Sequence, residues 1–171
     1  MRLHAIPPRA VPKTDETYFE VLTQAVFQAG FSWEVVRTKW PHVRKAFKAF
    51  NIPAVARFDI RDVDRLLKDP GLVRNRKKIQ ATIENARTLQ ALVREQGSVK
   101  QYVKSLRKYS YAQKVRELSS RFRYLGPTGV FFFLWCVGED VPRWQERDPD
   151  RPPTPRERPA RDRRINRRRG D

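Results

Sequence analysis

An all-α fold is what this chain predicts, on three observations. Apolar residues recur at helical spacing through most of its length, capping residues and Gly or Pro separate the repeats, and no two alternating segments pair as strands. The expected organisation is an extended lead-in over 1–14, a helical domain over 15–146 and an Arg/Pro-rich tail over 147–171.

The lead-in contains Pro7, Pro8 and Pro12 and has no periodicity. Thr14 or Asp15 can cap a first helix in which Tyr18, Leu22, Ala25 and Ala29 share a face with Phe19 and Val26 alongside, and Gly30 can end it in the left-handed region. Ser32 is a good N-cap for SWEVVRTKW, and Pro41 suits the first turn of a separate third helix, PHVRKAFKAF. NIPAVARFD allows a short helix. Asp59 then caps IRDVDRLLK, with Ile60, Val63, Leu66 and Leu67 on one side. After the break at Asp69-Pro70-Gly71 comes the longest pattern, about 75–95, in which Ile79, Ile83, Ala86, Leu89 and Leu92 keep step until Gly97. Helices over about 98–106 and 112–123 follow, and Gly126-Pro127-Thr128 opens an apolar one through Trp135. Past Glu146 the chain alternates Arg, Pro and Asp, which cannot bury a core, so the tail is expected to stay disordered without a partner.

Composition points to a polyanionic partner. The 171 residues carry 37 Lys plus Arg against 19 Asp plus Glu, a formal charge of +18. Residues 151–171 hold nine Arg and three acidic residues, a net of +6, which leaves the rest at +12, so the helical part is basic by itself. The single Cys136, inside VFFFLWCV, excludes a disulfide framework and a cysteine-rich metal site. MRLHAIPPRAVP has no apolar core of a secretory leader, and Val130 to Val137 falls far short of the ~20 residues that cross a bilayer. A cytoplasmic protein with no membrane association is expected.

Two stretches carry the chemistry. In RDVDRLLKDPGLVRNRKKIQATIENA, two amphipathic helices flank a tight Pro-Gly turn followed at once by Arg74, Arg76, Lys77 and Lys78. Amides at the start of a helix favour an anion, and the cations add attraction for phosphates, so this unit can grip a nucleic-acid backbone without reading bases; the alternative is an ordinary helical turn with a solvated basic face. The second stretch, QAGFSW at 28–33, puts a Gly-Phe pair at a helix junction and a Trp just inside the next helix. Either it is a buried corner, or Phe31 is a wedge and Trp33 a plate for a base.

Together QAGFSWEVV, WPHVRKAFKAFNIPAVA, DVDRLLKDPGLVRNRKKIQATIENAR and FRYLGPT closely resemble the bacterial DNA-3-methyladenine glycosylase I family of the helix-hairpin-helix superfamily, from about Val11 to Trp135. The resemblance implies a bilobed helical domain that everts alkylated adenine, above all N3-methyladenine, from double-stranded DNA and hydrolyses its glycosidic bond. It implies Phe31 as the DNA wedge, Trp33 with Gln28 and Gln24 around the base, and backbone contacts from Gly71, Val73, Arg74, Arg76, Lys77, Lys78, Gly126 and Thr128. A methylated adenine is cationic, and an aromatic face opposite such a cation contributes ~1–2 kcal/mol when desolvated.

The chain also departs from the family. The family's pocket glutamate, five residues before the Gly of the QAG motif, falls on Ala25, so no catalytic residue is assigned; Gln28 keeps an acceptor without the charge. The family's pocket tyrosine has no clear counterpart near His4. Its structural zinc needs a Cys and a His near each terminus, and only His4 and Cys136 stand nearby, so no metal or other cofactor is expected. The resulting expectation is a monomeric, nucleoid-associated repair glycosylase; the alternatives are a non-catalytic DNA- or lesion-binding protein of the same fold, or generic RNA attachment through the tail.

Overall fold

The computed structural model describes residues 8–151. Eight helices span them: α1 (Asp15–Gln28), α2 (Trp33–Ala46), α3 (Ile52–Ala56), α4 (Ile60–Lys68), α5 (Arg76–Gln96), α6 (Val99–Ser105), α7 (Tyr111–Arg121) and α8 (Pro127–Cys136), with short 3-10 turns at Lys48–Phe50, Leu106–Lys108 and Trp144–Glu146. The described residues contain no strand. His4 and residues 152–171, the greater part of the expected tail, lie outside them.

Local chemistry sets most helix starts. Side chains of Thr14, Ser32, Asn51, Asp59, Asn75, Ser98 and Ser110 each accept a hydrogen bond from an amide in the first turn of the helix that follows. Each such cap stabilises its helix by ~1 kcal/mol. At Asp59 and Ser110 the cap is reciprocal, their own amides donating to the side chains of the third helical residues, Asp62 and Gln113.

One expectation fails at Pro41. No new helix begins there; α2 runs through it, because Trp33, Val36, Trp40 and Val43 form one continuous buried stripe whose packing outweighs a lost backbone bond. Beyond α2 the chain turns through Lys48, Ala49 and Phe50, all with φ between 52 and 58°. This left-handed triplet costs ~1–2 kcal/mol per residue. It persists because Phe47 and Phe50 are fully buried in an aromatic cluster, where Phe50 stacks on Trp40 at 5.5 Å and meets the edge of Phe19 at 5.4 Å.

Two groups of helices share α1 and α5, which gives the bilobed form. On one side α3 and α4 pack against α5 and α2 against α1; on the other α6 contacts both, and α8 packs on α1 with α7 outside it. At Gly129 α8 faces α1, where an added Cβ would touch the Ala25 carbonyl at 3.8 Å and crowd the Leu125 side chain at 2.9 Å.

The two ends of the described chain are tied together directly. The Ala10 amide donates to the Cys136 carbonyl at 3.0 Å, and Arg9 donates to the carbonyls of Gly138 at 2.8 Å and Glu139 at 3.3 Å while lying over the Trp135 ring. Val11 fills the space beside Gly138, whose φ of 88° suits glycine alone. Order also continues past Glu146. Tyr111 donates its hydroxyl proton to the Arg147 carbonyl at 2.9 Å, and the Arg147 guanidinium sits 4.0 Å from the Trp144 ring centroid.

Candidate base and phosphate site

The hairpin between α4 and α5 is built around Asp69. Its carboxylate accepts from the Gly71 amide at 2.9 Å and pairs with the His42 ring at 2.8 Å, which ties the turn to α2. The His42 contact holds the Asp69 carboxyl below the usual carboxylate range, with burial opposing and the Gly71 amide assisting. Gly71 packs so closely on the His42 ring that an added Cβ would stand 2.3 Å from Cδ2. Its amide is therefore committed to Asp69 and does not face solvent as an anion donor. By contrast the amides of Val73, Arg74, Arg76 and Lys77 have no acceptor among the described residues, since the Asn75 side chain caps only Lys78. Two of them, Arg76 and Lys77, open a 21-residue helix, whose first amides favour an anion.

The cations divide into three kinds. Arg74 and Lys77 are exposed and have no ion pair among the described residues. Arg76 is exposed but paired with Asp64 at 3.0 Å. Lys78 corrects the expectation of a phosphate contact. It is 2% exposed, and its ammonium donates to the Phe27 carbonyl at 2.9 Å and to the Ala29 carbonyl, closing the end of α1. The first turn of α5 faces α1 at this point, so the side chain finds its acceptors inside. Burial pulls the amine down from 10.5 to about 8. Its periodicity with the buried Thr82, Asn85 and Leu89 is the sequence signal for the inward face; a run of four cations masks it.

The corner itself follows. The Phe31 amide donates to the Gln28 carbonyl at 2.9 Å, Gly30 takes φ 85°, and Ser32 caps α2. Phe31 is the exposed aromatic of this corner, 37% accessible, with the Lys78 ammonium 4.6 Å from its ring centroid. Trp33 is no open plate: it is 5% exposed, because Phe132 of α8 closes on it edge to face at 5.2 Å. Its indole Nε1 is buried with no acceptor among the described residues. Gln24 and Gln28 are half-buried, and neither side-chain amide has a hydrogen-bond partner among the described residues. Ala25 is buried between them against α8.

No carboxylate bonds to Trp33 among the described residues. Glu20 accepts from the Trp40 indole at 2.8 Å and from Arg44, and Glu34 is exposed. At the third segment, Gly126 is the exposed N-cap of α8, and the Thr128 hydroxyl accepts from Arg147 at 3.2 Å, a partner the sequence did not announce. The buried Asn85 amide fixes the approach to α8 by exchanging two hydrogen bonds with the Arg123 backbone. The family's zinc does not fit the described residues: they gather no three His, Cys, Asp or Glu side chains, and burial pushes the Cys136 thiol up to about 12.

Eight helices with a basic hairpin set against a protruding aromatic corner define the helix-hairpin-helix DNA glycosylase fold class. The chain belongs to the methyladenine glycosylase family, whose model matches residues 10–123. It is 44% identical over 78 residues to DNA-3-methyladenine glycosylase 1 of Escherichia coli (strain K12), covering 45% of this chain and 42% of that protein. It is 34% identical over 74 residues to the DNA-3-methyladenine glycosylase of Haemophilus influenzae, covering 43% and 40%. The aligned segments thus span less than half the length of these curated relatives. Among solved structures, 3-methyladenine DNA glycosylase I from Staphylococcus aureus, solved for the basis of 3-methyladenine recognition, superposes with a TM-score of 0.70 at 25% identity over 79% of this chain and 82% of that one. A second 3-methyladenine DNA glycosylase I structure gives 0.66 at 28% identity over 78% and 82%.

Proposed function

We propose that this chain is a monofunctional DNA glycosylase of base excision repair that removes alkylated purines such as N3-methyladenine from double-stranded DNA in the cytoplasm, bound to the nucleoid and acting as a monomer. One observation carries the reading: Lys78, rooted in the first turn of the hairpin-following helix, brings its ammonium to 4.6 Å from the centre of the exposed Phe31 ring, and the same segment carries Arg74 and Lys77, which have no ion pair among the described residues. A turn suited to phosphates and a side chain able to enter the base stack are thus linked through one residue.

In this reading Arg74, Lys77 and the amides of Val73, Arg76 and Lys77 hold the backbone, with Gly126 and Thr128 at the start of α8 as a second hold and Gly71 shaping the turn. Phe31 fills the vacated stack. The everted base lodges at the rim of Trp33, where the carbonyl oxygens of Gln24 and Gln28, without a partner among the described residues, accept from the exocyclic amino group, and the buried indole N–H meets a ring-nitrogen lone pair once Phe132 moves aside. Chemistry then needs little help. As the C1′–N9 bond breaks, its electron pair neutralises the methylated purine, and water adds to C1′ and releases a proton. A neutral pocket at Ala25 offers less to the cation than a carboxylate, at a cost of ~1–2 kcal/mol in recognition.

The second reading, a lesion-binding protein without excision, is favoured by Ala25 and by the engagement of Glu20 with Trp40 and Arg44, which leaves no carboxylate at Trp33. The two separate on DNA carrying N3-methyladenine. Free 3-methyladenine released under enzyme excess supports the glycosylase; tight binding of that duplex with no release establishes the binder.

A further inference from the structure

Lys78 is the one cation of the hairpin run that turns away from solvent, and it spans two parts of the site. Its backbone lies in the first turn of α5, one residue from Lys77 and four from Arg74. Its side chain crosses to the end of α1, donates to the carbonyls of Phe27 and Ala29 and lies 4.6 Å from the centre of the Phe31 ring. Those carbonyls are among the last of α1, which carry the negative end of its dipole and lack helical donors of their own. The corner they precede is otherwise held weakly: Gly30 has nothing within 4 Å of where a Cβ would stand, and the described backbone bond within it runs from Phe31 to Gln28. A neutral side chain of the same length would leave two carbonyls unpaired and a ring without its cation.

We propose that Lys78 is a positioning residue that locks the Phe31 corner to the phosphate-holding turn, so that engagement of the backbone by α5 sets Phe31 at the height of the base stack. The inference rests on the wedge assignment above. The side chain supplies what this coupling needs: two donors for the end of α1, a charge under an aromatic face and a four-carbon stem held still by burial. Arg74 and Lys77 hold the DNA; Lys78 transmits their position.

The test uses the full chain and a duplex containing a non-cleavable abasic analogue with 2-aminopurine as its neighbour, whose fluorescence rises when a side chain unstacks it. The wild type should brighten it on binding and Phe31→Ala should not. Lys78→Met should bind with affinity unchanged within about twofold yet brighten at least about fivefold less, the scale of coupling between contacting residues. The double variant should match Phe31→Ala alone. Lys78→Arg, which keeps charge and donors, should restore most of the signal, and it carries the test should Lys78→Met fail to fold, with loss of brightening in Lys78→Arg then overturning the proposal. Full brightening by bound Lys78→Met, or independent losses that add in the double variant, would also overturn it. If Phe31→Ala itself brightens like the wild type, the wedge assignment fails first.

Discussion

At the level of single residues, polar groups left without partners decide what the site can do. The indole Nε1 of Trp33 is buried and has no acceptor among the described residues, a state that costs ~1–3 kcal/mol and that a bound base would relieve in the proposed reading. Trp33→Phe keeps most of the packing on Phe132 and removes the orphan donor. The melting temperature should hold or rise, while excision under single turnover falls about tenfold, the value of one hydrogen bond; unchanged excision would remove Trp33 from base recognition. Lys78 makes a second residue-scale expectation. Burial lowers its folded value to about 8 from the ordinary 10.5, so the native state releases a proton that the unfolded state still holds between these values. The burial cost is present below pH 8 and fades as pH rises toward 10.5, so stability attributable to this residue rises over that window. Thermal melts of Lys78→Met should lack this alkaline increment, and an unchanged slope would place the amine in water.

Among the elements, the hairpin depends on the Asp69 carboxylate, which joins the turn to α2 through His42. Because contact with His42 lowers its folded pKa, its contribution is present above the ordinary carboxylate range and is lost as pH falls through the lowered folded value. Asp69→Asn should remove part of the acid sensitivity of melting below pH ~4 and weaken affinity for undamaged duplex, both read from melts and titrations of the two proteins. How far the sequence disclosed such elements follows from the range of the interactions involved. Helix starts were legible at Thr14, Ser32 and Asp59 because a cap acts within three residues. The continuity of α2 through Pro41 was not, since a tertiary stripe from Trp33 to Val43 outweighs the local signal. The inward turn of Lys78 and the cover of Phe132 over Trp33 were equally hidden: each depends on a partner about 50 or more residues away.

For the whole molecule, closure of the ends and reach toward DNA are separable. Arg9 and Ala10 join the lead-in to the end of α8 by direct hydrogen bonds. Arg9→Ala should lower melting by about 2–4 °C per kcal/mol lost, with melting unaffected by chelator in either protein; a chelator-sensitive melt would reveal a bound ion. Removing residues 152–171 should leave melting unchanged and reduce affinity and salt dependence for undamaged duplex, because counterion release follows the phosphates neutralised. The family, the fold and the corner-and-hairpin geometry meet in one claim, that Arg74 and Lys77 hold the backbone beside the nucleotide displaced by Phe31. It is tested most directly by measuring binding to a duplex with one non-cleavable abasic analogue whose flanking phosphates are replaced singly by uncharged methylphosphonates. The account predicts that affinity falls only for phosphates adjoining the analogue and that this loss vanishes in Arg74→Ala/Lys77→Ala; a loss spread evenly along the duplex, or one untouched by that double substitution, would contradict it.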